Sequence, residues 1–212
     1  MMTDLILMLV VLTNLKLLAS SELGASIRVV AAQGVMLGLL PVLAHVHDLS
    51  LHFAVLAVGT VALKGVVFPW LLFRALREAE ITREVEPYVG YITSILVGVM
   101  ALAASFWLGG RLPVSTVEAS SLLAPSALFS ILAGLFLIVA RKRAVNQVLG
   151  FLVMENGIYT FGVGIVAEMP FLVELGVLLD AFVAVFVMGI AVYHINREFD
   201  HIETNRLDRL KG

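Results

Sequence analysis

No cysteine occurs in this 212-residue chain, which excludes disulfides, thiol catalysis and cysteine-held iron–sulfur clusters. Charge is scarce as well: Asp, Glu, Lys and Arg make up 14% of the residues, against about 25% in soluble domains. A net charge of −2 with a pI near 6.2 excludes a basic nucleic-acid binder. There is no glycine-rich phosphate loop, nucleophile triad or metal-ligand helix in the chain. It therefore offers no machinery for catalysis of its own, and no cofactor or metal is expected on it. No polar stretch is long enough to be a soluble domain.

What is present is apolar: 60% of residues are hydrophobic and the mean hydropathy is +1.02. A single core in so short a chain cannot bury that much apolar surface, so the excess must face lipid. Runs of spanning length, roughly 20 residues each, fall near 3–20, 24–44, 50–73, 88–108, 121–140, 144–167 and 171–195. Lipid offers no partner to a bare amide, so each run must be helical. The expected fold is an all-α, polytopic integral membrane protein of about seven transmembrane helices. The connections are short except for 74–87 and 109–120, and Pro41, Pro69, Pro113 and Pro170 lie at or near span ends, where proline is tolerated. This divides the chain into a three-helix unit with its loop (1–87), a linking helix and loop (88–120) and a second three-helix unit with a tail (121–212).

Basic residues set the expected orientation. Arg28, Arg74, Arg77, Arg83, Arg141, Lys142, Arg143, Arg197, Arg206, Arg209 and Lys211 fall on one side, and Arg111 alone on the other. That asymmetry puts the N-terminus outside and the C-terminal tail in the cytoplasm of a cell whose inner membrane holds the protein. Lys16, at the inner end of the first run, can snorkel. Lys64 has no such route.

Four runs carry a polar or ionisable residue at depth: Gln33, Lys64, Glu155 with Asn156 beside it, and Asp180. Each charge costs at least about 2.5–3.5 kcal/mol at a helix centre, so it faces a partner, water or the bundle interior. One reading is a Lys64–Glu155 or Lys64–Asp180 pair that only fixes packing. The other is a proton or ion relay, since one lysine leaves one of two acids unmatched, and a carboxyl that gains and loses a proton is what a relay needs. Tyr159 lies one turn beyond Glu155, and Thr60 one turn before Lys64, on the same faces. Gly150, Gly157, Gly162 and Gly164 in the sixth run read as close packing, with a π-bulge or local unwinding there as the alternative. His45, His47, Asp48 and His52 have no closed metal-site spacing and read as loop residues.

The stretch from Asn146 through Met154-Glu155-Asn156-Gly157, followed by a short acidic turn and Leu179-Asp180 in an apolar helix, resembles the NuoK-type small subunit of complex I. The charged tail from Asn196 onward matches that pattern too. Such a unit behind extra helices resembles hydrogenase-4 component E, a membrane subunit of formate hydrogenlyase-type complexes. In this chain the glutamate stands inside the Met-x-Asn element, one turn from its place in the NuoK pattern, and the last-helix acid is Asp180 rather than glutamate. The resemblance implies that residues 121–212 form a NuoK-like three-helix unit. It also implies that Glu155 and Asp180 belong to a proton-conducting axis, to which depth and spacing in the sequence add Lys64, Gln33, Asn156 and Tyr159 as candidates. The implied partners are antiporter-like membrane subunits, a quinone-site-like membrane anchor and a peripheral redox arm carrying the nickel–iron centre and iron–sulfur clusters. Residues 1–73 and 121–195 also read as two inverted three-span units, with Gln33-Gly34 and Asn156-Gly157 in matching places. Three other readings remain open on the residues: a subunit of a multisubunit cation/proton antiporter, a stand-alone inverted-repeat transporter and a structural spacer.

Overall fold

The computed structural model describes residues 2–40, 51–78, 87–112 and 120–165, with side chains throughout except at 51–56 and 163–165. The seventh expected run, 171–195, the charged tail, Asp180 and the residues His45, His47 and Asp48 lie outside the described residues. Every described secondary-structure element is a helix, and each of the first six expected runs is helical over most of its described residues. We number them α1 (Met2–Ala19), α2 (Leu23–Gly38), α3 (Leu51–Ala62), α4 (Phe68–Glu78), α5 (Tyr91–Gly109), α6 (Leu123–Ala140) and α7 (Ala144–Ile165). Four stretches among the described residues are long and apolar enough to cross a membrane: Met2–Ala19, Ala57–Arg77, Tyr91–Gly109 and Leu123–Ala140. Leu23–Gly38 is apolar but shorter.

The third expected span is one rod made of α3, a π-helical turn over Leu63–Val67, and α4. The Phe68 N–H donates to the Leu63 carbonyl five residues back, while Ala62 and Phe68 both keep right-handed helical angles. Pro69, expected near a span end, instead lies inside the rod, which continues to Glu78. Proline has no N–H to donate, and its ring crowds the carbonyl four residues earlier, here Gly65. A widened turn ahead of it lets the rod continue. The sixth run, where glycines had made a π-bulge the alternative reading, is regular α-helix from Ala144 to Ile165.

Two of those glycines, Gly150 and Gly157, serve packing instead. The α6–α7 hairpin is the most extensive helix pair, and its two main chains touch. A Cβ at Gly134 would overlap the Met154 nitrogen, one at Gly150 would lie 2.8 Å from the Gly134 carbonyl oxygen, and one at Gly157 would lie 2.7 Å from the Ala127 oxygen. Small residues permit this approach where lipid supplies no hydrophobic drive between helices.

The interior has two apolar clusters with a polar layer between them. One contains Ile6, Leu7, Val10, Leu37, Leu40 and Leu123. The other is built around Leu17, Leu18, Ile27, Val30, Phe68, Leu137, Leu149 and Val153. On α1 and α2 the buried polar residues Asn14 and Gln33 fall between the two sets in sequence. Outside, the surface is apolar. Ile92, Leu96, Val99 and Met100 of α5 are exposed, as a lipid-facing helix requires. Each of the two tryptophans stands in the C-terminal half of its span, beside an arginine: Trp70 with Arg74 at 5.9 Å and Trp107 with Arg111 at 3.9 Å. Tryptophan favours the two membrane–water interfaces.

Candidate functional site

Three helices, α2, α6 and α7, bring their middles to one level. Gln33 is ten residues from the start of α2, Ser130 ten from the end of α6 and Glu155 eleven from the start of α7. At 1.5 Å per residue these are about 15–17 Å from the turns. α2 also packs against the π turn: a Cβ at Gly34 would lie 2.5 Å from Lys64 Cβ and 3.3 Å from its carbonyl carbon. Glycine at 34 therefore lets the Lys64 main chain sit against α2 directly beside Gln33.

The charged half of this layer is centred on Lys64. Its ammonium lies 2.9 Å from Glu155 Oε1, with both side chains at least 95% buried. It also donates to Asn156 Oδ1 at 3.2 Å and sits over the half-buried Tyr159 ring, 5.2 Å from its centroid. A π-face attracts a cation, more strongly where water is excluded. Of the two pairs expected from sequence, Lys64–Glu155 is present among the described residues, which do not include Asp180, and Lys64, Glu155, Asn156 and Tyr159 come together as one cluster. Thr60 is buried one turn before Lys64. Removing one partner of a buried ion pair strands the other charge in low dielectric, so this contact ties the third rod to α7.

The second half is made of amides and hydroxyls. Gln33 Nε2 donates to Thr13 Oγ1 and to Asn14 Oδ1, both at 2.8 Å. Asn14 Nδ2 donates to Ser130 Oγ at 2.8 Å, and Ser130 donates to the Ser126 carbonyl. Gln33, placed on sequence grounds with Lys64, therefore binds α1 rather than the ion pair. Thr13, Asn14 and Ser130 went unnoticed in the sequence. Asn14 carried the same signal as Gln33, an amide inside an apolar run. Ser130 carried almost none, because serine in a helix ordinarily bonds its own i−4 carbonyl.

Arg141, in the short connection between α6 and α7, is not solvated. It is 1% exposed, its Nη2 donates to the Leu18 carbonyl at 2.6 Å, and its guanidinium lies 4.5 Å from the Tyr91 ring centroid. Leu18 belongs to the last turn of α1, whose carbonyls have no partner within the helix. Arg141 thus joins the ends of α1, α5 and α6.

The uncharacterized protein Rv0085 of Mycobacterium tuberculosis is 31% identical over 204 residues, covering 95% of this chain and 92% of that protein. The chain belongs to the same family as Rv0085. Residues 122–212 match the NADH-ubiquinone/plastoquinone oxidoreductase chain 4L family, the NuoK-like unit. Hydrogenase-4 component E of Escherichia coli K12 is 36% identical over 86 residues, which is 41% of this chain and 40% of that protein. The same protein of Shigella flexneri matches equally. The chain is thus similar to about two fifths of the length of component E. No solved structure matches it. Glu155, Asn156, Tyr159, Ser130 and Arg141 fall inside the chain 4L-like part, whereas Lys64, Gln33 and Asn14 precede it. The buried ion pair therefore crosses the boundary between that part and the helices ahead of it.

Proposed function

We propose that this protein is a membrane-arm subunit of a redox-driven proton- or sodium-pumping complex of the hydrogenase-4 type, in which it forms part of a lateral proton path. The carrying observation is the buried Lys64–Glu155 pair, with its donor in the N-terminal helices and its acceptor in the chain 4L-like part. Glu155 takes up and releases the proton. When a proton neutralises its carboxylate, the Lys64 ammonium loses its counter-charge and rests on Asn156 Oδ1 and the Tyr159 face. When the proton leaves, the pair re-forms. Charge thereby moves by one side-chain length without opening the interior to water, and Asp180 serves as the next station.

In this reading the N-terminus faces outward and the tail lies in the cytoplasm. Residues 1–87, 88–120 and 121–212 act as an entry unit, a linker and the NuoK-like unit. Electron chemistry belongs to partner subunits: a peripheral redox arm with a nickel–iron centre and iron–sulfur clusters, a quinone-site-like anchor, and antiporter-like subunits that receive the proton.

The test is purification of the chain at native expression in mild detergent, with mass spectrometry of what travels with it. Antiporter-like subunits together with a metal-bearing arm are expected. Antiporter-like subunits without that arm would reassign the chain to a cation/proton antiporter, and a lone chain would overturn the assembly. In the intact complex, Glu155→Gln is expected to abolish pumping while assembly persists. Unchanged pumping per electron would remove Glu155 from the path.

A further inference from the structure

The hydrogen bonds in the amide half of the polar layer all run in one direction. Both protons of the Gln33 amide nitrogen are donated, to Thr13 Oγ1 and to Asn14 Oδ1. Asn14 donates onward to Ser130, Ser130 to the Ser126 carbonyl, and Thr13 to the Leu9 and Val10 carbonyls. Every chain of donors leads away from Gln33 and ends on a main-chain carbonyl. The head of the network is Gln33 Oε1. It is an acceptor on a side chain with 0% exposure, and it has no hydrogen-bond partner among the described residues. A buried acceptor in this position is where proteins hold ordered water, which takes about three hydrogen bonds from polar neighbours. Gly34, the next residue, brings the Lys64 main chain against α2 at this point.

We propose that Gln33 is the closed end of the buried polar path: its side-chain carbonyl holds a water molecule that extends the Lys64–Glu155–Asn156 cluster, and its amide stops protons there. Proton hopping needs an atom that has both a lone pair and a labile proton. Water, carboxyl and hydroxyl groups qualify, whereas an amide nitrogen donates its protons without an acceptor pair. The hydroxyls of Thr13 and Ser130 qualify singly, but each is reached only through an amide nitrogen and is already turned toward a carbonyl. The α1–α6 interface is thus polar, which fixes the helices, and insulating, which keeps the proton on the Glu155 side. This inference rests on the proton-path reading and assigns Gln33 a role within it.

The experiment uses the assembled complex in vesicles, with Gln33→Leu, Gln33→Glu, Ser130→Ala and, as reference, Glu155→Gln, each checked for assembly by co-purification. Gln33→Leu is expected to lower pumping several-fold, and Ser130→Ala to leave it unchanged. Gln33→Glu, which puts a proton-accepting group where the amide stood, is expected to raise passive proton leak under an imposed pH gradient. A second readout, independent of pumping, is water-to-protein magnetisation transfer in solid-state NMR of the complex with this chain labelled at Gln and Asn. Strong transfer is expected at the Gln33 side chain and several-fold weaker transfer at Asn14. Equal loss of pumping in Ser130→Ala and Gln33→Leu would show that the path runs on through the amides and would overturn the proposal. A Gln33 as dry as Asn14 would overturn it as well. If Glu155→Gln pumps normally while Gln33 is hydrated, the pumping role of Glu155 fails and the water at Gln33 stands.

Discussion

The α6–α7 hairpin and the third rod hold opposite ends of one ion pair, yet they meet their neighbours in opposite ways. In the hairpin, a Cβ at Gly134, Gly150 or Gly157 meets main-chain nitrogen or oxygen of the facing helix. Where the rod packs on α2, the nearest atoms are side-chain carbons: Val61 Cγ2 for Gly38, Val35 Cγ2 for Gly65 and Lys64 Cβ for Gly34. Main chain cannot turn aside, whereas the valine methyls at Gly38 and Gly65 can; at Gly34 the Lys64 main chain itself comes close. The rod also contains the π turn that carries Lys64, while α7 is regular where it carries Glu155. The acid thus rides on a fixed frame and the base on a helix with an irregular turn and softer contacts.

The largest expected effect breaks the hairpin. Gly134→Val or Gly150→Val forces main chains apart along the whole pair, beyond the ~1–3 kcal/mol of ordinary overpacking. No folded protein is expected on size-exclusion chromatography in mild detergent, whereas Gly38→Ala in the rod interface still yields a folded peak. Recovery of folded Gly134→Val would mean that the two interfaces are equally compliant.

The next effect is on the pair itself. Lys64→Met leaves Glu155 buried without its counter-charge and is expected to cost about 3–5 kcal/mol, with the double variant Lys64→Met/Glu155→Leu recovering most of that loss. Denaturation of the purified chain in detergent supplies the cycle. Loss in the double variant equal to the sum of the singles would mean that the two side chains do not couple.

This contrast explains which features were legible in the sequence. The described helices were, because apolar runs of spanning length admit no other structure in lipid. The Lys64–Glu155–Asn156–Tyr159 cluster was also legible, because charge inside such a run must find a partner. The glycines of α7 read as close packing, which holds at Gly150 and Gly157, and the π turn that was their alternative reading occurs at Lys64. Its cause lies in Pro69, whose missing N–H had read as a span end. The burial of Arg141 was not legible, because its partners, Leu18 and Tyr91, lie far off in sequence, and only the tertiary arrangement brings α1 and α5 to it. Asn14 and Ser130 form a bond across 116 residues, which no local pattern announces.

A smaller effect separates two arginines near span ends. Arg141, buried at the hairpin turn, donates to the Leu18 carbonyl, a charged hydrogen bond of about 1.5–3 kcal/mol. Arg74 on the rod is exposed and lies over the exposed Trp70, an arrangement of about 0.5–1 kcal/mol. Arg141→Met is therefore expected to lower the detergent unfolding midpoint clearly more than Arg74→Met. Equal shifts would show that Arg141 contributes through charge alone and not through its contacts.

The smallest effect is the most discriminating, because it removes the difference in contacts and leaves only the helices. Gly59 in the rod and Gly162 in α7 both face open space, with nothing within 4 Å of an added Cβ. Alanine there lowers the backbone entropy lost on folding and is expected to stabilise by up to about 1 kcal/mol at either position. Gly65→Ala, inside the π turn with Val35 Cγ2 at 2.6 Å, gains the same entropy but must displace a methyl, so its sign is expected to reverse to a small loss. Equal gains at 59 and 162 beside a loss at 65 would place the asymmetry between hairpin and rod in what their glycines touch. A gain at 162 with a loss at 59 would place it in the rod as a whole, as an irregularity reaching beyond the five residues of the π turn.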